Sequence, residues 1–412
     1  MRRAWLCSPL LLFAACGGSS GGGDGGLTPD GTVLQVDDAG RVIDAAPGAD
    51  SSTVLPGTGF WPQATIDVSG PSFIDPMSAT IISNFKARGG FGNGNKMKIE
   101  FSIQVLRADA SAPMRTFTPT SNFFQRECDL APVPVPLVGQ VEGSLTRDYS
   151  CPKDTMGLPD GDCHLIVIHE PSTKLYEMWV ADISGSPARF TGGCLAIWDM
   201  NRVYPLNGRG ERCTSADAAG YPIAPLLFTA DEVAAGRIDH AIRFILPNSV
   251  IQRGSYRHPA THATDSTTNP GVIYGTRLRL KNDPAILARL PNEGARVVAR
   301  ALQKYGMFLA DGGNDALTAA HDRFSTAKWG RRDQDDYVIA DDPNRLLGPL
   351  DLYALTPDDF EVVKAPDSAS PIIYNAQNDT CVRNCWVNAD CTPVASGLTC
   401  QGAAGATPGT CQ

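Results

Sequence analysis

The sequence predicts a mainly β protein: a β-sandwich or jelly-roll-like single large domain with a few short helices, plus a small disulfide-rich C-terminal module. Three observations carry that prediction. Runs rich in β-branched and aromatic residues recur between turn-forming residues from about position 96 to 311. Only two segments combine helical apolar spacing with helix-end signals, and βαβ alternation is not visible. Five of the 12 cysteines crowd between positions 381 and 411, in a stretch with almost no aliphatic residues.

Taken in order, residues 1–15 (MRRAWLCSPLLLFAA) have a basic start, a short apolar run and small residues at the end, the pattern of a secretory signal peptide. The apolar run is too short to span a bilayer. FAAC, residues 13–16, resembles the lipobox of bacterial lipoproteins, although Phe13 stands where Leu is usual. That resemblance implies acylation of Cys16, and Gly17 after it leans towards the outer membrane. Residues 16–56 are rich in Gly, Ser and Asp and read as a disordered tether. No later stretch is apolar enough to cross a bilayer, so the expected membrane partner is reached through the lipid.

The body, 57–365, is read as strands at KMKIEFSIQVL (96–106), CHLIVIHEP (163–171), KLYEMWVADI (174–183), CLAIWDM (194–200), HAIRFILP (240–247), VIYGTRLRL (272–280) and MFLAD (307–311). The short Pro171-Ser172-Thr173 connection predicts a hairpin. TADEVAAGRI (229–238) opens with Thr229 and Glu232 at capping-box spacing. EGARVVARALQKYG (293–306) places Ala295, Val298, Ala301, Leu302 and Tyr305 on one helical stripe, stopped by Gly306.

A linker at 366–378 leads to the cysteine-rich module, 379–412. With Cys7 in the leader and Cys16 acylated, five cysteines remain in the body and five in the tail. Two odd sets cannot each close, so at least one bridge joins them, with Cys381 the expected crossing residue. Zinc is the competing reading of the tail, but no histidine lies nearby and no C-x-x-C is present.

Charge excludes one class of function. Asp and Glu number 44 against 35 Lys and Arg, a formal net charge of −9 with no basic run, so the footprint for nucleic acid is missing.

Six blocks together resemble an uncharacterised family of secreted bacterial β-rich proteins: DCHLIVI…LYEMW, TSADAAGYPI, DEVAAGRIDHAIRF, RHPATHATDS, YGTRLRLK and ALQKYGMFLADGG. They keep order and spacing across roughly residues 60–363. The resemblance implies membership without an activity. Two departures stand out. Cys163 precedes His164 where Arg is commoner, which points to a local disulfide, and the segment 312–340 is shortened and altered.

No nucleophile elbow, H-E-x-x-H, Walker loop or dinucleotide fingerprint is present, and no cofactor or metal site is implied. Candidate chemistry therefore rests on single polar residues. Asp217, with Thr214 and Ser215 in the TSADAAG turn, is either a general base or an Asx-turn carboxylate. Ser215 as a nucleophile would need a base that the sequence does not name. Glu177 inside LYEMW is either solvated or, beside Trp179, a general acid on a glycosidic oxygen. Asp199 has the same two readings, and Glu232 is explained by its cap. His164, His240 and His258 are structural or proton-carrying. Arg277 either binds an acidic sugar or pairs across strands, and Asp311 reads as a turn residue.

The leading expectation is a tethered enzyme cleaving polysaccharide, with Glu177 and Asp217 as carboxylates and His164 and His240 as proton carriers. Ser215, His258, Arg277 and Trp179 would bind substrate. It would be a glycoside hydrolase, or a lyase if Arg277 recognises a uronate. The alternatives are a carbohydrate-binding lipoprotein using Trp61, Trp179 and Trp198, and a structural envelope protein.

Overall fold

The computed structural model describes residues 58–121, 123–264, 270–367, 371–375, 380–387, 390–391, 399–405 and 407–412, with two short strands upstream. Those strands, Gln35–Val36 and Val42–Ile43, pair antiparallel within the segment read as a tether. The leader and Cys16 lie outside the described residues.

Among the described residues strand outweighs helix (28% against 15%), in several sheets. Ten strands build the two principal ones: β1 (Ile99–Ile103), β2 (Val105–Ala108), β3 (Leu165–His169), β4 (Lys174–Trp179), β5 (Cys194–Asp199), β6 (Ile242–Leu246), β7 (Arg277–Leu280), β8 (Met307–Gly312), β9 (Leu317–Ala320) and β10 (Phe360–Val363). The larger sheet has the order β10-β7-β8-β6-β9-β1 and the smaller β5-β4-β3-β2. Both are mixed: β6 runs parallel to β8, β9 to β1, and β2 to β3. Among the described residues four α-helices accompany them, α1 (Ser78–Ala87), α2 (Ala230–Ala234), α3 (Pro284–Ala288) and α4 (Glu293–Lys304).

Residue alternation explains how the sheets are buried. In β3, Ile166 and Ile168 enter the main core while Leu165 and Val167 enter a second one. The smaller sheet is thus covered on both faces, which is why LIVI is a continuous apolar run. The larger sheet differs. Ile99, Phe101 and Ile103 of β1 and Ile242 and Phe244 of β6 face the main core. The alternate positions carry Glu100, Ser102 and Arg243, a polar face.

Most expected elements are present, with instructive differences. The hairpin forms between β3 and β4, Leu165 opposite Met178. The run 96–106 breaks at Gln104, where the chain passes from the larger sheet to the smaller. The run 272–280 breaks at Gly275, whose φ of 87° suits glycine. Val272–Tyr274 joins a separate three-stranded sheet. The helix at 229 has its capping box, with the Thr229 side chain accepting from Glu232 N–H. Asn292 caps α4 by accepting from Ala295 N–H.

The tail is stitched onto the body. Cys381 bridges to Cys213, and Val382–Cys385 pairs antiparallel with Gly210–Glu211. Arg383 and Arg209 both donate to the buried Asp129, the latter at 2.9 Å. Within the tail Cys385 pairs with Cys400 and Cys391 with Cys411, so these sulfurs are not thiolates available to zinc. Cys128–Cys194 and Cys151–Cys163 close the body, the latter being the local bridge expected at Cys163.

Candidate functional site

The TSADAAG turn lies over the polar face of the larger sheet, and the reason is local. A bulge in β8 pairs Phe244 with Leu309 but Ile245 with Asp311, so Ala310 is the extra residue. The shift brings Asp311 onto the face that carries Arg243. It also leaves the Ala310 carbonyl to accept from Ala219 N–H at 2.9 Å, which docks the turn on the sheet. Gly220, at φ 84°, is needed there, because a Cβ would meet Thr261 Oγ1 at 2.1 Å.

Above this floor is a cavity of about 550 Å³. Asp162, Asp217, Asp311, Trp179, His262 and Tyr274 give its wall its chemistry. Asp217 is 1% exposed: Oδ1 accepts from Ala219 N–H (3.0 Å) and Oδ2 from Arg243 Nη2 (3.0 Å). It is both the Asx turn and half of a buried ion pair. Asp311 is freer, 22% exposed at the side chain. It accepts from Gly312 N–H (2.8 Å) and Ala218 N–H (3.3 Å) and stands 3.7 Å from the same Arg243 nitrogen. Sharing one guanidinium nitrogen, the facing oxygens of Asp217 and Asp311 are at most about 7 Å apart.

Burial, with the Asp217 and Asp162 charges, pushes the Asp311 carboxyl up to about 7. Burial pushes Asp217 up to about 6, against the pull of Arg243. Asp162, an exposed lining residue, accepts from the Trp179 indole through Oδ1 at 2.9 Å. His262 Nδ1 bonds the Ala218 carbonyl (2.8 Å) and must be its protonated nitrogen.

The expected cluster of Glu177, Asp217 and two histidines does not assemble here. Asp217, Ser215, Thr214 and Trp179 line the cavity; Glu177, His164, His240, His258 and Arg277 do not. Glu177 is 0% exposed and points into the main core. Its carboxylate accepts from Ile223 N–H (2.8 and 3.0 Å), Ala224 N–H (2.8 Å) and Trp198 Nε1 (3.1 Å). Even so, burial pushes it up to about 7.

The three expected histidines share one feature: each has both ring nitrogens on acceptors. His164 bridges Glu142 (2.6 Å) and the Ala216 carbonyl (3.0 Å), His240 bridges Glu232 (3.1 Å) and the Ala241 carbonyl (2.8 Å), and His258 bridges Glu211 (3.0 Å) and Asp367. Such a ring is held as imidazolium and offers no lone pair. Desolvation opposes that charge, but Glu142 overrides it and holds His164 up at about 10, while Glu211 and Asp367 lift His258 to about 8.

Arg277 neither faces a cavity sugar nor pairs across strands. Its guanidinium donates to the Tyr305 carbonyl (2.8 Å) and the Ile66 carbonyl (2.8 Å) and lies over Phe308. The cross-strand pair belongs to Arg279 and Glu361 (3.0 Å). Ser215 Oγ donates to the Tyr221 carbonyl at 2.6 Å, with no base at hand. Asp199 pairs with Arg202 at 3.0 Å. Trp61 and Trp198 are fully buried.

Sequence reasoning passed over Asp162, Arg243, His262 and the chemical part of Asp311. Arg243 had a signal: a cation at the second position of an otherwise apolar strand needs a buried partner.

Compared with known families, curated proteins and solved structures, the chain matches none.

Proposed function

We propose that the cavity hydrolyses a glycosidic bond, with Asp311 as general acid and Asp162, which lines the same cavity, as general base. The carrying observation is the position of Asp311. A bulge aims its carboxyl into an aromatic-edged cavity, where burial and two neighbouring carboxylates raise it to about 7, so a large fraction still carries the proton near neutrality. In the reaction Asp311 gives its proton to the glycosidic oxygen as the C1–O bond breaks. Asp162 takes a proton from a water whose oxygen attacks C1 from the opposite face. The products are a reducing sugar and the freed hydroxyl, and solvent returns the two carboxyl groups to their starting forms. Asp217 and Arg243 position Asp311, and Trp179 gives a sugar ring an apolar platform.

A hydrolase is preferred to a lyase because Arg277 lies elsewhere and no Lys or Arg is among the lining residues. A non-catalytic binding surface finds less support, because Trp61 and Trp198 are core residues. The sandwich or jelly-roll architecture, the family resemblance and the envelope address belong to this proposal too. The five disulfides among the described residues favour an oxidising compartment, and a lipid on Cys16 would supply the anchor.

The test is a screen of oligosaccharides with product detection on the wild type, Asp311→Asn and Asp162→Asn. Turnover by the wild type that falls about 100-fold or more in Asp311→Asn supports the reading. Equal turnover in that variant removes it.

A further inference from the structure

We infer that the sugar this cavity receives carries an ammonium group: its substrate class is an amino-sugar oligosaccharide with free amines. The inference rests on the hydrolase reading for the site and goes beyond it in naming the ligand's charge. Three features of the cavity point the same way.

Apart from His262, whose Nδ1 is spent on the Ala218 carbonyl, its charged lining residues are three aspartates, with no lysine or arginine among them. Asp162, Asp217 and Asp311 line it; Arg243, behind the floor, pairs with Asp217 at 3.0 Å, stands 3.7 Å from Asp311 and donates to Thr318, and Asp311 starts the reaction protonated, so Asp162 carries the open negative charge. A uronate or sulfated sugar would meet the Asp162 carboxylate with no lysine or arginine among the lining residues to offset it. Its walls are aromatic, with Trp179, Phe124 and Tyr274 around the space, and a cation that reaches a ring face gains quadrupole attraction in addition to the carboxylate charge. Finally, the Asp162 carboxylate is preorganised. The Trp179 indole holds Asp162 Oδ1, fixing the carboxylate and leaving Oδ2 as an acceptor. A cavity of about 550 Å³ is large enough for more than one sugar ring. The chain's net charge of −9 adds a long-range pull of the same sign.

Isothermal titration of the full mature chain at fixed ionic strength separates the possibilities. The probes are a glucosamine tetramer, its N-acetylated counterpart and an uncharged glucose tetramer of the same linkage. The free-amine oligomer is expected to bind at least about 10-fold more tightly than either, and to weaken as salt rises. Asp162→Asn, an exposed change that leaves the core intact, is expected to erase that preference. Trp179→Ala is expected to weaken all three probes. Equal or tighter binding of the acetylated or uncharged tetramer overturns the inference, as does an unchanged preference in Asp162→Asn or no binding of any probe. The two readings fail separately. Cleavage of neutral glycans with amino sugars ignored removes the inference and keeps the hydrolase, whereas tight amino-sugar binding without product does the reverse.

Discussion

Replacing Glu177 tests whether a fully buried carboxylate serves the fold or the chemistry. Two peptide N–H groups and the Trp198 indole converge on it, joining β4, β5 and the Ile223–Ala224 corner. Glu177→Ala strips three buried donors of their acceptor. At about 1–3 kcal/mol for each unsatisfied group, and allowing for relaxation, the expected loss is about 3–6 kcal/mol. That is a large share of the roughly 5–15 kcal/mol that holds a typical domain together. Glu177→Gln keeps one oxygen but turns an NH₂ towards a donor, so about 1–3 kcal/mol is expected. Urea unfolding followed by fluorescence reads both, as a lower midpoint at unchanged slope. Two outcomes refute the reasoning: wild-type midpoints in both variants, or a Glu177→Gln protein that keeps its stability and loses turnover.

Three further outcomes are expected. The fold should be more stable at pH 5 than at pH 9. His164, raised to about 10, contributes fully below its ordinary 6.5 and loses that contribution as pH climbs to about 10; Glu142, lowered by His164, contributes above its ordinary 4.5. Glu127, Glu177 and Asp311, raised to about 7, and Glu100, raised to about 8, bind protons more readily folded than unfolded, so they act in the same direction from about pH 4 to 8. Thermal midpoints check this, and a higher midpoint at pH 9 contradicts it. Arg243→Met strands Asp217 in the protein interior and should cost about 3–5 kcal/mol in urea, a loss below about 1 kcal/mol being inconsistent with the ion pair described. Cys213→Ser with Cys381→Ser opens a loop spanning 168 positions, with an expected loss of up to about 5 kcal/mol and faster proteolytic release of the tail.

Local signals were legible in the sequence. The capping box at Thr229, the α4 stripe, the β3–β4 hairpin and the crossing disulfide from Cys381 each depend on residues within one element or on counting. Sheet membership was not. Nothing in KMKIEFSIQVL marks Gln104 as the residue where the chain changes sheets, and parallel pairing of β6 with β8 joins segments some sixty positions apart. The site was half visible for the same reason. The TSADAAG turn and Trp179 were singled out, but Asp311 acquires its setting from a bulge, and a one-residue slip in register has no local sequence cost. Glu177 stood out as an unusual strand residue. Its partners, 46 and 47 positions away, decide that it anchors a corner of the core.

The most direct test is a crystal structure of Asp311→Asn soaked with a glucosamine oligosaccharide. A sugar ring stacked on Trp179, its amine on Asp162 and a glycosidic oxygen at residue 311, is the expected result. Electron density for sugar at any other surface, with the cavity holding water alone, contradicts the assignment.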